Sequence, residues 1–139
     1  MTFEVRTTSL DGTATAIGAA HPFTLVVDRP AADGGGGLGF NGGQLLYLAV
    51  AGCVSNDLYR EADRQGVALR RVEVTVRGDF AGDPAVSTEV TYDVSLSGDE
   101  TPERLRELVE HVDAIAEIPN SLRRGTAVRL GSVDASAVR

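Results

Sequence analysis

The chain has 139 residues, of which 42% are hydrophobic and 24% charged, so it is long enough for one domain with a real apolar core. Its net charge of −7 disfavours binding to nucleic acid and to anionic membrane surfaces, and no apolar run is long enough to span a bilayer. A single cysteine, Cys53, and an N-terminus without an apolar leader predict a reducing, cytoplasmic setting.

The first third of the chain predicts three strands. Apolar and polar residues alternate over residues 3–8, a turn at Gly12 follows, and residues 13–18 can return as the second strand. Alternation resumes at Phe23 and ends before Pro30, which cannot donate to a β-ladder. These segments therefore predict hairpin-connected, antiparallel strands.

A glycine-rich segment, residues 31–43, follows the third strand and is predicted to be a flexible loop. Its Gly34–Gly37 part is a candidate lid over a pocket. Residues 37–42 spell GxGxxG, but a dinucleotide site needs a parallel βαβ unit. The strand that follows here belongs to a hairpin, so nucleotide binding is disfavoured.

A long helix is predicted from Gln44 to Gln65, with Gly66 as its C-terminal cap. Its first half, residues 45–54, is apolar on every face, which predicts burial on every face. One sheet can cover one face, and a partner subunit is the simplest cover for the other. The second half, which includes Asp57 and Glu61, is polar and is predicted to emerge into solvent.

The remainder of the chain predicts two antiparallel strands around residues 71–77 and 90–96, joined by a turn at residues 82–84. A second helix begins at Thr101 and is predicted to end at Pro119, and a last strand covers residues 126–133. The order βββ-α-ββ-α-β predicts a single α+β domain over residues 1–139.

Two side chains in this pattern could carry chemistry, and each has a purely structural alternative. Cys53 is either a small core hydrophobe or a reactive thiol at the edge of a pocket; Asp57 and Arg60 share its helix face and would act on a thiolate in opposite directions. Arg29 is either part of a solvated turn or a cation close to a thiolate or an anionic ligand.

The two histidines, His21 and His111, are predicted to be surface residues, with His111 able to pair with Glu107 along its helix. Two histidines without a further ligand make a poor zinc site, so no metal is predicted. No Ser-His-Asp order and no HExxH pattern is present. We predict no bound cofactor.

The order of elements, together with the segment from Asn41 to Cys53, resembles the OsmC/Ohr family. The segment from Asp28 to Pro30 with its glycines, and the one from Ile118 to Gly125, also resemble that family, so the likeness covers nearly the whole chain. The resemblance implies antiparallel sheets wrapped around a long central helix in an intertwined homodimer, with active sites at the subunit boundary.

The resemblance further implies a two-cysteine reaction. In that family an organic hydroperoxide oxidises a first cysteine to a sulfenic acid, and a second cysteine converts the sulfenic acid to a disulfide. Cys53 matches the first cysteine, but Ile118 stands at the position of the second and Gly43 at that of the family glutamate. The hairpin around Gly12 lacks the family arginine. Arg29 and Glu117 are the candidate replacements for the missing arginine and carboxylate.

The first hypothesis is therefore a one-cysteine, thiol-dependent organic hydroperoxide reductase that acts in oxidative-stress defence and is resolved by an external thiol. Its predicted catalytic residues are Cys53, Arg29 and Glu117, and its predicted substrate contacts are Phe23, Leu46, Asp57 and Ile118. The alternative is a non-peroxidatic protein that binds a hydrophobic small molecule at the dimer interface. A third interpretation is that Cys53 performs other nucleophilic or acid–base chemistry.

Overall fold

The computed structural model describes residues 2–138 and is a mixed α+β structure with antiparallel sheets, as predicted. Its elements in chain order are β1 (Arg6–Ser9), β2 (Ala16–Ala20), β3 (Phe23–Val27), α1 (Gly42–Arg64), β4 (Leu69–Arg77), β5 (Phe80–Ala81), β6 (Val86–Ser87), β7 (Thr91–Gly98), α2 (Pro102–Ile115) and α3 (Glu117–Arg123).

The first sheet is the antiparallel arrangement β1-β2-β3, in which Ser9 pairs with Ala16 and Ala20 pairs with Phe23. β1 begins three residues later than the alternation predicted, at Arg6. The sheet is poorly covered, since Phe23 is 76% exposed and every residue of β1 is exposed. Within one chain this sheet therefore lacks a second layer on much of its surface.

The long helix α1 begins and ends close to the predicted residues. Asn41 and Gln44 form a capping box at its start, and Gly66, at φ +71°, takes the left-handed conformation that ends it. The apolar first half is not buried all round in the single chain, because Leu48 is 49% exposed and Ala49 and Gly52 are also exposed. The chain thus leaves uncovered the helix face that the sequence assigned to a partner.

The hydrophobic core lies between the second half of α1, helix α2 and the antiparallel pair β4-β7. Its fully buried side chains include Val54, Leu58, Leu108, Val112 and Ala116, while alternate residues of β4 and β7 pack against them. Helix α2 starts where predicted, because the Thr101 side chain accepts a hydrogen bond from the Arg104 amide at 3.2 Å.

One predicted helix end and one predicted strand are wrong. Pro119 does not end α2; α2 ends at Ile115, and Pro119 lies buried in the first turn of a separate helix, α3, where a missing N–H costs nothing. Residues 126–133 form no strand: the alternation is present, but Val128 is 94% and Leu130 83% exposed, and no sheet edge within the described chain pairs with them.

The connection between β4 and β7 has nearly the predicted length, but it contains two short strands that were not predicted. The turn at residues 82–84 is present, but it closes a small hairpin of its own, β5-β6, in which Phe80 pairs with Ser87. Strands of two residues carry no periodicity, so their sequence gave no signal. This hairpin reaches back to the start of α1 through Tyr47 and Phe80, whose rings stack with centroids 5.7 Å apart.

Candidate functional site

Cys53 lies midway along α1 and is half-buried, with its side chain packed against the core. Leu45 and Ala49 precede it at successive four-residue steps, so the three side chains share one stripe of the helix. On one side of this stripe lies the core, and on the other lies the uncovered face that carries Leu48 and Gly52. Cys53 therefore lies where the core meets the surface that the chain leaves open.

Four of the polar residues after Cys53 are exposed to solvent as predicted (Asn56, Arg60, Asp63 and Arg64), but two are not. Asp57 and Glu61 are buried, because their face of α1 packs against α2 rather than pointing outward. One oxygen of Asp57 lies 3.2 Å from Arg60, whereas Oδ2 has no hydrogen-bond partner in the described chain. A buried acceptor left without a donor costs stability, so Asp57 is an energetic anomaly one turn from the only thiol.

Glu61 is buried but fully satisfied. His111 of α2 contacts it at 3.0 Å and Arg64 at 2.9 Å. The hydrogen bond with His111, with help from Arg60 and Arg64, holds the pKa of the Glu61 carboxyl below its ordinary value in spite of burial. The predicted pairing of His111 with Glu107 is wrong, because the imidazole reaches across to α1 instead.

Glu117 and Ile118 open helix α3, which packs against α1. Glu117 is exposed and Ile118 half-buried, and the adjacent Ala116 belongs to the same core cluster against which Cys53 packs. The segment that the resemblance matches to the family's second cysteine therefore adjoins the core cluster against which Cys53 packs.

The orientation of α3 is fixed by a polar clamp. The Asp113 carboxylate of α2 accepts hydrogen bonds from Arg123 of α3, at 2.6 Å, and from the hydroxyl of Tyr92 in β7. The hydrogen bond from Tyr92 and then the Arg123 guanidinium hold the pKa of Asp113 low, while burial and Asp113 raise the pKa of Tyr92. The clamp joins three elements and limits how far Ile118 can move.

The glycine-rich segment is tied down rather than loose. The buried carboxylate of Asp28 accepts hydrogen bonds from the Thr15 hydroxyl at 2.8 Å and from the amides of Arg29, Gly36 and Leu38 at 2.7–3.2 Å. Burial alone would raise the pKa of Asp28, but these bonds outweigh it and hold that pKa below its ordinary value. We refer to Asp28, Thr15 and the bound amides as the Asp28 knot.

Glycine is required in this segment by close backbone approach. A Cβ on Gly35 would lie 2.1 Å from the Arg29 carbonyl oxygen, and one on Gly39 would lie 2.2 Å from that of Val26. Neither gap can hold a side chain. The prediction that Gly34–Gly37 form a flexible lid is therefore not supported, since these glycines allow a compact loop held by specific hydrogen bonds.

Arg29 lines a cleft of about 420 Å³ at the start of α1, together with Asn41, Gly43 and Phe80. Its side chain is exposed and forms no ion pair within residues 2–138. Cys53 lies twelve residues along α1 from Asn41, and at 1.5 Å per residue this separates the cleft from the thiol of the same chain by about 18 Å.

Phe23 lines a different cavity. This second space, of about 620 Å³, lies between the first sheet and the start of α1, and its walls include Val5, Leu25, Leu45 and Ala49. Apart from Arg6 and two threonines, its lining is apolar. Leu46, the remaining predicted substrate contact, is half-buried on α1 one position from Leu45.

The seven predicted site residues thus fall into three places in the single chain. Cys53, Asp57, Glu117, Ile118 and the half-buried Leu46 lie on α1 and α3; Arg29 lies in the cleft; Phe23 lies in the apolar cavity. The sequence analysis missed Phe80 and the role of Asp28. An aspartate before a run of glycines was a usable signal for the knot, whereas nothing marked the two-residue strand of Phe80.

The described residues contain no cluster of His, Cys, Asp or Glu side chains suited to a metal ion. No helix in this part of the chain combines the length and apolarity needed to cross a membrane.

Comparison with known proteins identifies the fold class and then the family. The structure is similar to that of an OsmC-like protein from Mycoplasma pneumoniae (TM-score 0.76, 14% identity, 88% of each chain). It also resembles organic hydroperoxide resistance proteins, OsmC of Legionella pneumophila (TM-score 0.65, 18% identity, 88% of this chain and 90% of that one) and OhrB of Bacillus subtilis (TM-score 0.62, 19% identity, 88% and 91%).

The family model described as OsmC-like protein matches residues 34–131, which is more than half of the chain. This protein therefore belongs to the OsmC-like family, as the resemblance predicted. Among curated proteins, none matches the sequence.

Proposed function

We propose that this protein is a one-cysteine, thiol-dependent reductase of organic hydroperoxides, with Cys53 as its nucleophile. The observation that carries the proposal is the position of the only thiol, half-buried on the central helix beside the face that the chain leaves open. The resemblance to two organic hydroperoxide resistance proteins supports the same reaction class. A single cysteine also suits a reducing cytoplasm, the setting we propose.

The reaction needs no second cysteine in the chain. The Cys53 thiolate attacks the terminal oxygen of the hydroperoxide: an S–O bond forms, the O–O bond breaks, and the departing alkoxide takes a proton from water to become an alcohol. One external thiol then displaces the hydroxyl of the sulfenic acid as water, giving a mixed disulfide. A second external thiol then attacks the mixed disulfide, which joins the two external thiols in a disulfide and releases Cys53 as the thiolate.

A homodimer is part of this proposal. The exposed face of α1 around Leu48 and the unpaired, alternating segment around Val128 and Leu130 are the surfaces that a second copy would cover. Because the cleft that Arg29 lines is about 18 Å along α1 from the Cys53 of its own chain, we assign Arg29 a role at the Cys53 of a second subunit. Antiparallel packing of two α1 helices would bring the start of one beside the middle of the other.

The other predicted roles fit the same arrangement. Ile118 and Glu117 would flank Cys53 from α3, with Ile118 contacting the substrate and Glu117 supplying a carboxylate at the rim. Asp57 has an unpartnered oxygen one turn along α1, which suits an acceptor for a polar atom of the substrate. Phe23 and Leu46 would contact the substrate's hydrocarbon part.

The proposal is tested by treating reduced protein with one equivalent of cumene hydroperoxide in the presence of a sulfenic-acid trap, followed by intact-mass measurement. We expect a saturable adduct at Cys53 that is absent in Cys53→Ser. Ser55→Ala, two residues along the same helix, is the matched control and should retain the adduct. Oxidation of the wild type no faster than that of a free cysteine would refute the proposal.

A second function is favoured by the apolar cavity of about 620 Å³, whose size suits a small hydrophobic ligand. Its walls come from the first sheet and from Leu45 and Ala49 on the Cys53 stripe of α1. Gentle ionisation of the purified protein would detect a retained ligand. We expect its loss in Ala49→Phe, which fills the cavity, and its retention in Leu122→Ala, far from it; retention in both variants would place the ligand elsewhere.

A further inference from the structure

Within one chain, the cleft at the start of α1 lies about 18 Å along the helix from Cys53, and it shares only Val27 with the lining of the apolar cavity. Its walls come from three parts of the chain: the end of β3 and the turn after it, the first residues of α1, and the β5-β6 hairpin. A volume of about 420 Å³ is in the range of small-molecule sites. It is lined mainly by apolar and small residues, with a few charged groups at defined places.

Arg29 is the available cation of this cleft. Within residues 2–138 the Arg29 guanidinium has no carboxylate partner. Six arginines of α1, β4 and α3 each have one: Arg60, Arg64, Arg70, Arg71, Arg77 and Arg123. Its backbone is nevertheless fixed, because its amide donates to Asp28 at 2.7 Å and its carbonyl oxygen accepts from Gly37 at 3.0 Å. The Arg29 side chain therefore projects from a fixed backbone position at the cleft, in a protein of net charge −7.

The wall that Phe80 forms is aromatic, and its position is also fixed. The Phe80 ring stacks on Tyr47 with an interplanar angle of 12°, and the Tyr47 hydroxyl lies 3.1 Å from the Asp79 carbonyl oxygen and 2.9 Å from the Ser87 hydroxyl. Gly43 makes this placement possible, because a Cβ there would lie 2.8 Å from the Phe80 ring. Phe80 remains 43% exposed, so a flat apolar surface is left open to a ligand.

Two aspartates define the charge that the cleft can accept. Both oxygens of the Asp28 carboxylate already accept hydrogen bonds within the Asp28 knot. Asp33 is exposed on the rim of the cleft and forms no ion pair within the described chain. One cation beside one rim carboxylate favours a monoanion over a dianion such as phosphate.

We infer that the cleft formed by Arg29, Gly43 and Phe80 binds a small aromatic monocarboxylate, whose carboxylate pairs with the Arg29 guanidinium and whose ring lies on Phe80. A guanidinium matches a carboxylate through two parallel N–H donors, and the offset stacking of aromatic rings supplies selectivity for a flat ligand. In the proposed dimer Arg29 also approaches the Cys53 of the second subunit, so the place of this site rests on the proposed function; the contacts with Arg29 and Phe80 do not use the thiol, and binding can therefore be tested apart from hydroperoxide reduction.

The test is a titration of the full-length protein with sodium benzoate, followed by ¹H–¹⁵N NMR of the amides of Arg29, Gly43 and Phe80. We expect saturable shifts confined to the cleft, with acetate and benzyl alcohol each binding at least about tenfold more weakly than benzoate, because each lacks one of the two contacts. Arg29→Gln should weaken benzoate at least about tenfold and Phe80→Leu about threefold. Arg104→Gln, an exposed arginine on α2, is the matched control and should leave the affinity unchanged.

Equal benzoate affinity in wild type and Arg29→Gln, or equal affinity for benzyl alcohol and benzoate, would overturn the inference. Benzoate shifts that fail to saturate would do the same. Repeating the titration with Cys53→Ser separates the two proposals: unchanged binding there, together with a wild type inert toward hydroperoxide, would leave the cleft standing and remove the peroxidase.

Discussion

The two halves of this molecule differ in how completely one chain buries them. Around Leu58, Leu108 and Val112, helices α1 and α2 and the β4-β7 pair form a core with side chains at most 1% exposed. In the first sheet and the final segment, by contrast, Phe23 is 76% and Leu130 83% exposed. Exposed apolar side chains concentrated in two segments of a chain are typical of surfaces that bind another molecule. The first region explains the fold; the second explains the proposed function.

The largest effect should come from the closed region. Leu108→Ala removes a side chain that is 1% exposed, so we expect a loss of about 2–5 kcal/mol in the free energy of unfolding by urea. Val86→Ala, at a residue 66% exposed, is the matched control and should change stability by no more than about 0.5 kcal/mol. A small effect at Leu108 would mean that the core is not where stability resides.

The open region is tested by charge on the uncovered face of α1. If the proposed homodimer uses this face, Leu48→Glu shifts its equilibrium toward monomer by about a hundredfold, since a two-fold interface loses the burial of two leucines. Sedimentation velocity over a range of concentrations measures this shift. Leu122→Glu, on α3 and 41% exposed, is a control of equal charge that should leave the assembly intact. An unchanged dimer in Leu48→Glu would place the interface on another surface.

The Asp28 knot tests whether the glycine-rich segment next to the first sheet is a folded loop or a mobile lid. Asp28→Ala leaves the Thr15 hydroxyl and three amides without their acceptor, so we expect the melting temperature to fall by about 6 °C or more. Hydrogen exchange at Gly36 and Leu38 should accelerate at the same time. Asp33→Asn, in the same loop but exposed, should change neither; slow exchange persisting in Asp28→Ala would argue that the knot is dispensable.

The smallest expected effect is a pH dependence carried by Glu61. Its folded pKa is lowered mainly by His111, so its contribution to stability is present above the unfolded pKa of about 4.3 and is lost as pH falls through the folded value. Glu61→Gln should therefore melt below the wild type at pH 7, and the gap should narrow between about pH 5 and pH 3. The exposed Glu107→Gln is the control; a gap independent of pH would mean that Glu61 acts only through packing.

Much of the closed region could be predicted from sequence because its signals are local. The glycine at Gly66 and the threonine cap at Thr101 each mark a helix boundary through their own backbone chemistry, whereas α1 begins two residues before the predicted Gln44, capped by Asn41. Antiparallel pairing of β4 with β7 follows from alternation on both strands. The family resemblance was likewise confirmed by the match over residues 34–131.

What could not be predicted depends on partners distant in sequence. The sequence around Asp57 and Glu61 predicts solvent exposure, because the helix that covers them is distant in the chain. His111 of α2, which contacts Glu61, lies fifty residues further on. Pro119 predicts a helix end unless a new helix starts just before it, as α3 does at Glu117. The segment around Val128 and Leu130 has strand periodicity, but a strand also requires an edge with which to pair.

The account's central claim is that Cys53 reduces hydroperoxides without a second cysteine. Its most direct test is steady-state consumption of cumene hydroperoxide by the wild type and by Cys53→Ser, with a monothiol as the only reductant. The account predicts turnover by the wild type well above the rate of the monothiol alone, and none above it in Cys53→Ser. A wild type no faster than the monothiol, or a Cys53→Ser variant as active as the wild type, would contradict it.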